Sequence, residues 1–216
     1  MKKAFPIVVL VSGQGSNLQA IIDAKLPIEI KAVISNRSDA YALKRAEQAG
    51  ISSVILDHRL YKTREEYDQA LADCISRYQP KLIVLAGFMR LLSRDFIRQF
   101  YGRIINIHPS LLPKYPGLHT HEQVVAAGDK VHGVSVHFVD DQLDGGPLIA
   151  QAETEVGAAD TAATLKTKVH QLEHRIYPQV IRWFAEDRLR LDERRVFLDS
   201  HLLTASGRLL KLIVLD

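Results

Sequence analysis

Three polar residues in the second half of the chain have side chains suited to acyl transfer. Asn106 and His108 alternate with isoleucines, the pattern of a β-strand whose alternate residues share one face. A proline follows and ends the strand, so both side chains are expected at its carboxyl end, where open α/β sheets bind ligands. Asp144 precedes two glycines, in a turn that can present a carboxylate.

An amide, an imidazole and a carboxylate together predict oxyanion chemistry. The amide of Asn106 and a charged His108 can stabilise a tetrahedral oxyanion, and Asp144 can orient His108 and raise its pKa toward or above neutrality. No serine or cysteine nucleophile is paired with them, since Cys74 is expected inside a helix and buried. We therefore expect direct transfer between two substrates. The alternative is that a histidine before a proline serves only in a loop or in packing.

A glycine loop lies between the first predicted strand and the first predicted helix. Residues 13–17 read Gly-Gln-Gly-Ser-Asn, and a glycine loop before a helix start suits a phosphate. A tight turn between strand and helix would explain the same residues. A dinucleotide site is disfavoured because Leu18 replaces the third glycine and no acidic residue ends the second strand. The lysine of a Walker loop is also missing.

The elements that must position these residues alternate between strand and helix in the first half. Apolar runs predict strands at 7–11, 28–35, 53–56 and 81–86. Helices are expected between them, with cap residues at Asn36 to Asp39 for one and a capping box at Thr63 to Glu66 for the next. Repeated strand–helix units predict an α/β fold, a doubly wound, mostly parallel sheet with helices on both faces, Rossmann-like.

The second half has a different pattern. A strand is predicted at 104–107, a strand pair at 134–139 and 148–156, and a long amphipathic helix from about 161 to 183. The apolar stretch 207–216 is interpreted as either an edge strand or an interaction surface. The arginines near the end, Arg194 among them, are interpreted as part of a solvated face.

Composition excludes several classes of protein. The chain has 216 residues, 47% hydrophobic and 25% charged, and its net charge of +3 is too small to indicate nucleic-acid binding. A single cysteine excludes an internal disulfide. No apolar stretch approaches the roughly 20 residues of a membrane-spanning helix, and no signal-peptide pattern is present. We expect a cytoplasmic protein that binds neither membrane nor nucleic acid.

The nine histidines raise the question of a metal site. His119 and His121 form the one close pair, with His132 and His137 further along the chain. None of them belongs to a His-Glu-x-x-His pattern, and one cysteine supplies no thiolate cluster. We interpret these histidines as free loop residues and expect no metal.

The chain resembles the folate-dependent phosphoribosylglycinamide formyltransferases, from the first strand to about Leu191. The motif around His108 is typical of the wider formyl-folate superfamily, and the glycine loop and the stretch after Tyr115 narrow the resemblance to this branch. The segments that carry it are Ile7–Ile21, Val84–Arg90, Asn106–Pro113, Tyr115–His121 and Asp144–Pro147.

This resemblance implies one formyltransferase domain over residues 1–216. Its N-terminal part, about 1–100, would bind the ribonucleotide phosphate, its C-terminal part, about 101–195, would be catalytic and folate-binding, and the tail 196–216 receives no role. The implied catalytic residues are Asn106, His108 and Asp144. The implied ribonucleotide-binding residues are Gly15, Ser16, Asn17 and Glu173. The implied folate-binding residues are Arg64, Met89, Arg90, Leu91, Leu92, Asn106, Asp140, Asp141, Gln142, Leu143 and Asp144.

The reaction implied is formyl transfer from 10-formyltetrahydrofolate to the amine of glycinamide ribonucleotide, without a metal. A monomer or weak homodimer is expected. Three alternatives remain: a formyltetrahydrofolate hydrolase, another formyl-folate transferase such as the one acting on methionyl-tRNA, and a non-catalytic nucleotide-binding module. The first two typically carry an extra domain for which the matched region leaves no room, and the last would not explain the three catalytic residue types.

Overall fold

A computed structural model describes residues 4–210 of the chain. The chain divides into two compact units, one ending at Asn106 and one starting at Ile107. The assignment of one domain over residues 1–216, with its functional division near residue 100, stays a prediction.

The first unit is built on parallel strands. They are β1 (Phe5–Val11), β2 (Ile28–Ser35), β3 (Ser53–Ile55), β4 (Leu82–Leu85) and β5 (Ile104–His108), and residues 107 and 108 of β5 belong to the second unit. These strands are hydrogen-bonded in the order β5-β4-β1-β2-β3, and every pairing among them is parallel. The helices are α1 (Ser16–Asp23), α2 (Tyr41–Gln48), α3 (Arg64–Ser76) and α4 (Arg94–Gln99), with a 3-10 turn at His58–Leu60.

Burial explains why the apolar runs became the inner strands of this unit. All four residues of β4, and residues 7–11 of β1, are buried, as expected for a parallel strand covered on both faces. The predicted caps were only partly right. Thr63 caps α3 by accepting from Glu66 N, whereas the Glu66 carboxylate accepts from Lys62 N. The predicted caps of α2 were wrong, because the helix begins after Ala40 with no side-chain cap.

The second unit holds the predicted strand pair and the long helix. β6 (Val131–Phe138) and β7 (Leu148–Glu155) are antiparallel, and β11 (Arg208–Leu210) lies parallel to β7. A separate antiparallel sheet contains β8 (Leu189–Asp192), β9 (Arg195–Leu198) and β10 (His201–Leu202). The helices are α5 (Thr120–Ala127) and α6 (Ala162–Ala185).

The long helix follows its sequence pattern closely. Thr161 caps α6 through a reciprocal pair of bonds with Thr164, which satisfies backbone groups that a helix start leaves without intrahelical partners. The predicted apolar face is buried; its members are Leu165, Val169, Leu172, Ile176 and Val180. No helix within residues 4–210 is long and apolar enough to cross a membrane. Of the apolar tail, residues 208–210 form a strand, and residues 211–216 lie outside the described part of the chain.

A buried polar network holds the segment that follows β5. Ser135 Oγ donates to Ser110 O (2.7 Å) and accepts from Leu112 N (3.0 Å) and Gln151 Nε2 (2.8 Å). Gln151 Nε2 also donates to Leu112 O (2.9 Å). The two residues come from the neighbouring strands β6 and β7, so the sheet itself pairs the backbone groups of a loop that would otherwise be buried unsatisfied.

This network predicts a large stability loss for Ser135→Ala. The change leaves the N–H of Leu112 and the carbonyl of Ser110 each without a partner, so the free energy of unfolding should fall by about 2–4 kcal/mol. Ser38→Ala, at an exposed serine, should change it by less than about 0.5 kcal/mol. Urea unfolding followed by circular dichroism measures both. Equal stabilities for the two variants would contradict the role given to this hydroxyl.

Candidate active site

The segment between β6 and β7, residues 139–147, carries Asp144 and is called here the Asp144 loop. A tight turn forms within it, because Asp140 Oδ1 accepts from Gln142 N (3.0 Å) and Gln142 O accepts from Gly145 N (3.2 Å). Asp144 itself has a positive φ of 50°. At Gly146 a Cβ would overlap the carbonyl oxygen of Phe138, so only glycine fits where the loop closes.

Three groups from three different segments surround the Asp144 carboxylate. Its Oδ2 accepts from Gly117 N (2.8 Å) and lies 3.4 Å from His108 Nδ1, and its Oδ1 lies 3.7 Å from His137 Nε2. Burial by itself would raise the pKa of Asp144. The two imidazoles and the Gly117 N–H outweigh burial and hold this pKa below its usual value. Asp144 is therefore a carboxylate at neutral pH.

His108, at the carboxyl end of β5, lies between two hydrogen-bond acceptors. Its Nε2 is 2.8 Å from the carbonyl oxygen of Tyr115, which can only accept, so Nε2 carries a hydrogen. Its Nδ1 faces Asp144. Burial lowers the pKa of His108 below its usual value, more than the Tyr115 carbonyl and Asp144 raise it. The expectation of a pKa raised toward or above neutrality was wrong, because it counted the partner and omitted desolvation.

The histidines interpreted as free loop residues are mostly in regular structure. His137 lies on β6, donates from Nδ1 to Phe138 O (2.7 Å) and faces Asp144, a contact that sequence reasoning missed. His121, on α5, is hydrogen-bonded to His132 of β6 (2.9 Å between Nδ1 and Nε2). That interpretation was therefore wrong for these three. Within residues 4–210 no three His, Cys, Asp or Glu side chains are grouped as for a metal ion.

The arrangement brings two of the three predicted catalytic side chains together. His108 and Asp144 form a buried pair, and Asn106 lies two residues before His108 on β5 with an intermediate exposure. Cys74 lies in α3 as predicted, but it is only partly buried, and desolvation raises the pKa of its thiol. An acidic carboxylate paired with an imidazole can orient that ring and support its charged form.

The glycine loop packs against α2. Gly13 O accepts from Ala42 N (3.0 Å), and Gln14 O accepts from Arg45 Nε (2.9 Å). Gly15 has a φ of 71°, and a Cβ there would stand 2.6 Å from the Ala42 Cβ. The structure thus explains Gly15 by its left-handed backbone and close packing, whatever binds there. Arg45, which no sequence signal singled out, supports the loop.

Gly15 immediately precedes α1, which begins at Ser16. The first turn of a helix leaves backbone N–H groups without an intrahelical acceptor and carries the positive end of the helix dipole. Ser16 is partly exposed and Asn17 is buried. This helix start therefore has the features of an anion site.

The residues that the family resemblance implies as folate contacts are mostly exposed. In the first unit, Arg64 is exposed and lies 3.4 Å from Glu65, and Arg90 stacks over the Tyr67 ring at 4.8 Å. The Met89 side chain is 68% exposed while its N–H donates to Ser12 Oγ (2.8 Å). Leu91 is exposed, and Leu92 is partly buried.

In the second unit the Asp144 loop exposes its tip. Asp141, Gln142 and Leu143 are exposed, whereas Asp140 is buried. Glu173, which the resemblance implies as a ribonucleotide contact, is buried on α6. The ligand roles of these residues stay predictions.

Comparison with known proteins identifies the family. Residues 5–181 match the family described as formyl transferase. The chain is 52% identical over 205 residues to phosphoribosylglycinamide formyltransferase of Escherichia coli K12, covering 93% of this chain and 97% of that protein. The Haemophilus influenzae enzyme of the same name is 44% identical over 211 residues, 96% and 98% of the two chains.

Solved structures agree. The phosphoribosylglycinamide formyltransferase of Coxiella burnetii superposes with a TM-score of 0.93 at 57% identity, covering 95% of this chain and 98% of that one. Glycinamide ribonucleotide transformylase 1 of Symbiobacterium toebii gives 0.88 at 44% identity, covering 92% and 95%. These matches confirm the predicted α/β formyltransferase fold with its mostly parallel sheet. The chain belongs to the formyl transferase family, in the branch of the phosphoribosylglycinamide formyltransferases.

Proposed function

We propose that this enzyme transfers the formyl group of 10-formyltetrahydrofolate to the amine of 5′-phosphoribosylglycinamide. The products are formylglycinamide ribonucleotide and tetrahydrofolate, a step of purine (IMP) biosynthesis. The observation that carries this proposal is the buried pair of His108 and Asp144, 3.4 Å apart, in a chain that spans nearly the whole of its bacterial relatives.

The chemistry proposed is direct attack. The neutral amine forms a bond to the formyl carbon, and the carbonyl oxygen becomes an oxyanion stabilised by Asn106 and His108. Collapse of the intermediate breaks the bond to N10 of the folate. The proton released from the new nitrogen passes to N10, with Asp144 as the carboxylate that assists the transfer. The formyl group thus moves to the amine, while N10 of the folate keeps the electron pair of the broken bond and takes up the proton. No covalent enzyme intermediate is formed.

The surroundings of His108 define when it carries charge. Burial keeps the resting imidazole neutral at pH 7.5, because it lowers the pKa below the ordinary value of about 6.5. The neutral ring already carries the Nε2 hydrogen that it can donate to the oxyanion. A developing oxyanion also raises the pKa of the ring, since a nearby negative charge favours the charged form. Any proton that the ring takes up from water as the substrates bind returns to water when the intermediate collapses. To contact that oxyanion, the ring donates to it in place of the Tyr115 carbonyl. His108 is then strongest as a donor in the transition state, where catalysis needs it.

The remaining roles follow the family positions. Gly15, Ser16 and Asn17 bind the ribonucleotide phosphate and Glu173 its ribose. Folate is bound by Arg64, Met89, Arg90, Leu91, Leu92, Asn106 and the Asp144 loop at Asp140, Asp141, Gln142, Leu143 and Asp144. No metal takes part, and the enzyme acts in the cytoplasm as a monomer or weak homodimer, without nucleic acid or membrane.

The substrate prediction is tested by the dependence of folate consumption on the amine. Purified protein should consume 10-formyltetrahydrofolate only when 5′-phosphoribosylglycinamide is present, with tetrahydrofolate and the formylated product appearing in equal amounts. Absorbance of the folate and chromatography of the ribonucleotide measure the two. Consumption at the same rate without the amine would instead assign a hydrolase.

Asp144→Asn tests the charge of the central pair. The amide keeps the shape but removes the carboxylate, so kcat should fall by about 10²–10³ while both KM values change far less. The NMR titration midpoint of His108, below about 6.5 in the wild type, should fall further because Asp144 raises it. Asp39→Asn, at an exposed carboxylate paired with Arg37, is the control. A kcat within threefold of wild type, or an unchanged midpoint, would rule this role out.

The phosphate site is better tested at Ser16 than at Gly15. A side chain at Gly15 would clash with α2, so its substitution would disturb packing as well as binding. Ser16→Asp places a negative charge in the first turn of α1, which favours the helix but repels a phosphate. The KM for the ribonucleotide should rise by at least about tenfold, roughly 1.4 kcal/mol of binding free energy, with folate KM within twofold. Ser16→Asn introduces a side chain of the same shape as aspartate but without its charge, so it should change the KM for the ribonucleotide much less. An equal rise of the ribonucleotide KM in Ser16→Asp and Ser16→Asn would contradict the prediction that the negative charge repels the phosphate.

A further inference from the structure

One arginine outside the Asp144 loop contacts both of its ends. Arg194 Nη1 lies 2.6 Å from Asp140 Oδ2, and Arg194 Nη2 donates to the Gly145 carbonyl (3.2 Å). The two contacted residues flank the loop tip, and Asp144 lies between them. A planar guanidinium can make two such bonds at once in a fixed geometry, which a single ammonium cannot reproduce.

The ion pair with Asp140 is partly protected from water. The Asp140 side chain is 7% exposed, and its other oxygen accepts from Gln142 N inside the loop. A buried carboxylate without a cation is costly, so removal of the guanidinium should expose or displace Asp140. The same movement would open the turn that orients Asp144.

The turn that carries Arg194 is itself held in place. Arg194 lies between β8 and β9, whose strands pair antiparallel along their length. At the base of this hairpin Arg188 binds Asp199 through Nε (2.7 Å) and Nη2 (2.8 Å). On one face Arg190 stacks over Phe197 at 4.7 Å. Arg194 therefore reaches the loop from a fixed support.

We propose that Arg194 is a positioning residue for formyl transfer, holding the two ends of the Asp144 loop so that Asp144 stays directed at His108. This inference rests on the proposed function for its kinetic readout. The interpretation of Arg194 as part of a solvated face is confirmed for its exposure, since the side chain is 59% exposed, but its guanidinium also binds the loop through Nη1 and Nη2.

The experiment compares Arg194→Ala and Arg194→Lys with Arg195→Ala. Arg195 is the adjacent arginine of the same hairpin and contacts Asp192 (3.2 Å), so it is the matched control. Arg194→Ala should lower kcat about tenfold and raise the folate KM about fivefold or more, because small misplacements of catalytic groups are costly, while the ribonucleotide KM stays within twofold. Arg194→Lys should recover part of the loss, and Arg195→Ala should match the wild type.

A second readout needs no turnover. The NMR titration midpoint of His108 should fall in Arg194→Ala, because Asp144 moves away from the ring, and should stay unchanged in Arg195→Ala. Wild-type kinetics in Arg194→Ala, with an unchanged midpoint, would overturn the proposal. So would an equal loss in both alanine variants with a lowered Tm, which would show general destabilisation. An inactive wild type would reject the proposed substrates alone, since the titration still tests the contact between loop and hairpin.

Discussion

The segments around the active site are arranged to keep the buried carboxylate of Asp144 charged. Taking an ionised carboxylate out of water costs several kcal/mol unless charge and hydrogen bonds compensate. Compensation comes from the Gly117 N–H at 2.8 Å and, when the rings are protonated, from two imidazoles at 3.4 and 3.7 Å. These groups belong to the segment after β5, to the end of β5 and to β6. Each of these segments must therefore be held accurately for the carboxylate to stay charged.

The supports around Asp144 are mostly polar, because the segments that they hold are irregular and lack ladder partners. Ser135 and Gln151 pair the backbone at Ser110 and Leu112. Further along, Asp129 accepts from both Lys114 Nζ (2.9 Å) and Tyr115 Oη (3.0 Å), which fixes the residue whose carbonyl contacts His108. Hydrogen bonds of this kind contribute modestly to net stability, yet their loss leaves buried groups unpaired. They act chiefly by selecting one conformation.

Much of this could be predicted from the sequence, and the failures have physical causes. Long apolar runs placed β1, β2 and β4, and a helical repeat placed α6, because burial on a regular element leaves a periodic trace. Short elements such as α4, α5 and the β8–β10 sheet leave little trace and were not predicted. The residue types indicated that Asp144 contacts and orients His108. The direction of the His108 pKa was missed because it depends on burial, which no local pattern reports.

The glycines of the glycine loop and of the Asp144 loop also show what sequence patterns cannot reveal. A glycine loop before a helix suggests room for a phosphate, yet Gly15 is required by its φ and by Ala42 of α2. Likewise Gly146 is required by the Phe138 carbonyl. Both contacts involve residues distant enough in the chain that spacing alone cannot reveal them. A glycine motif therefore indicates close approach of the backbone to something, and only the fold tells whether that partner is protein or ligand. For Ser16 and Asn17 the helix start supplies the argument for a phosphate, independently of the glycine beside them.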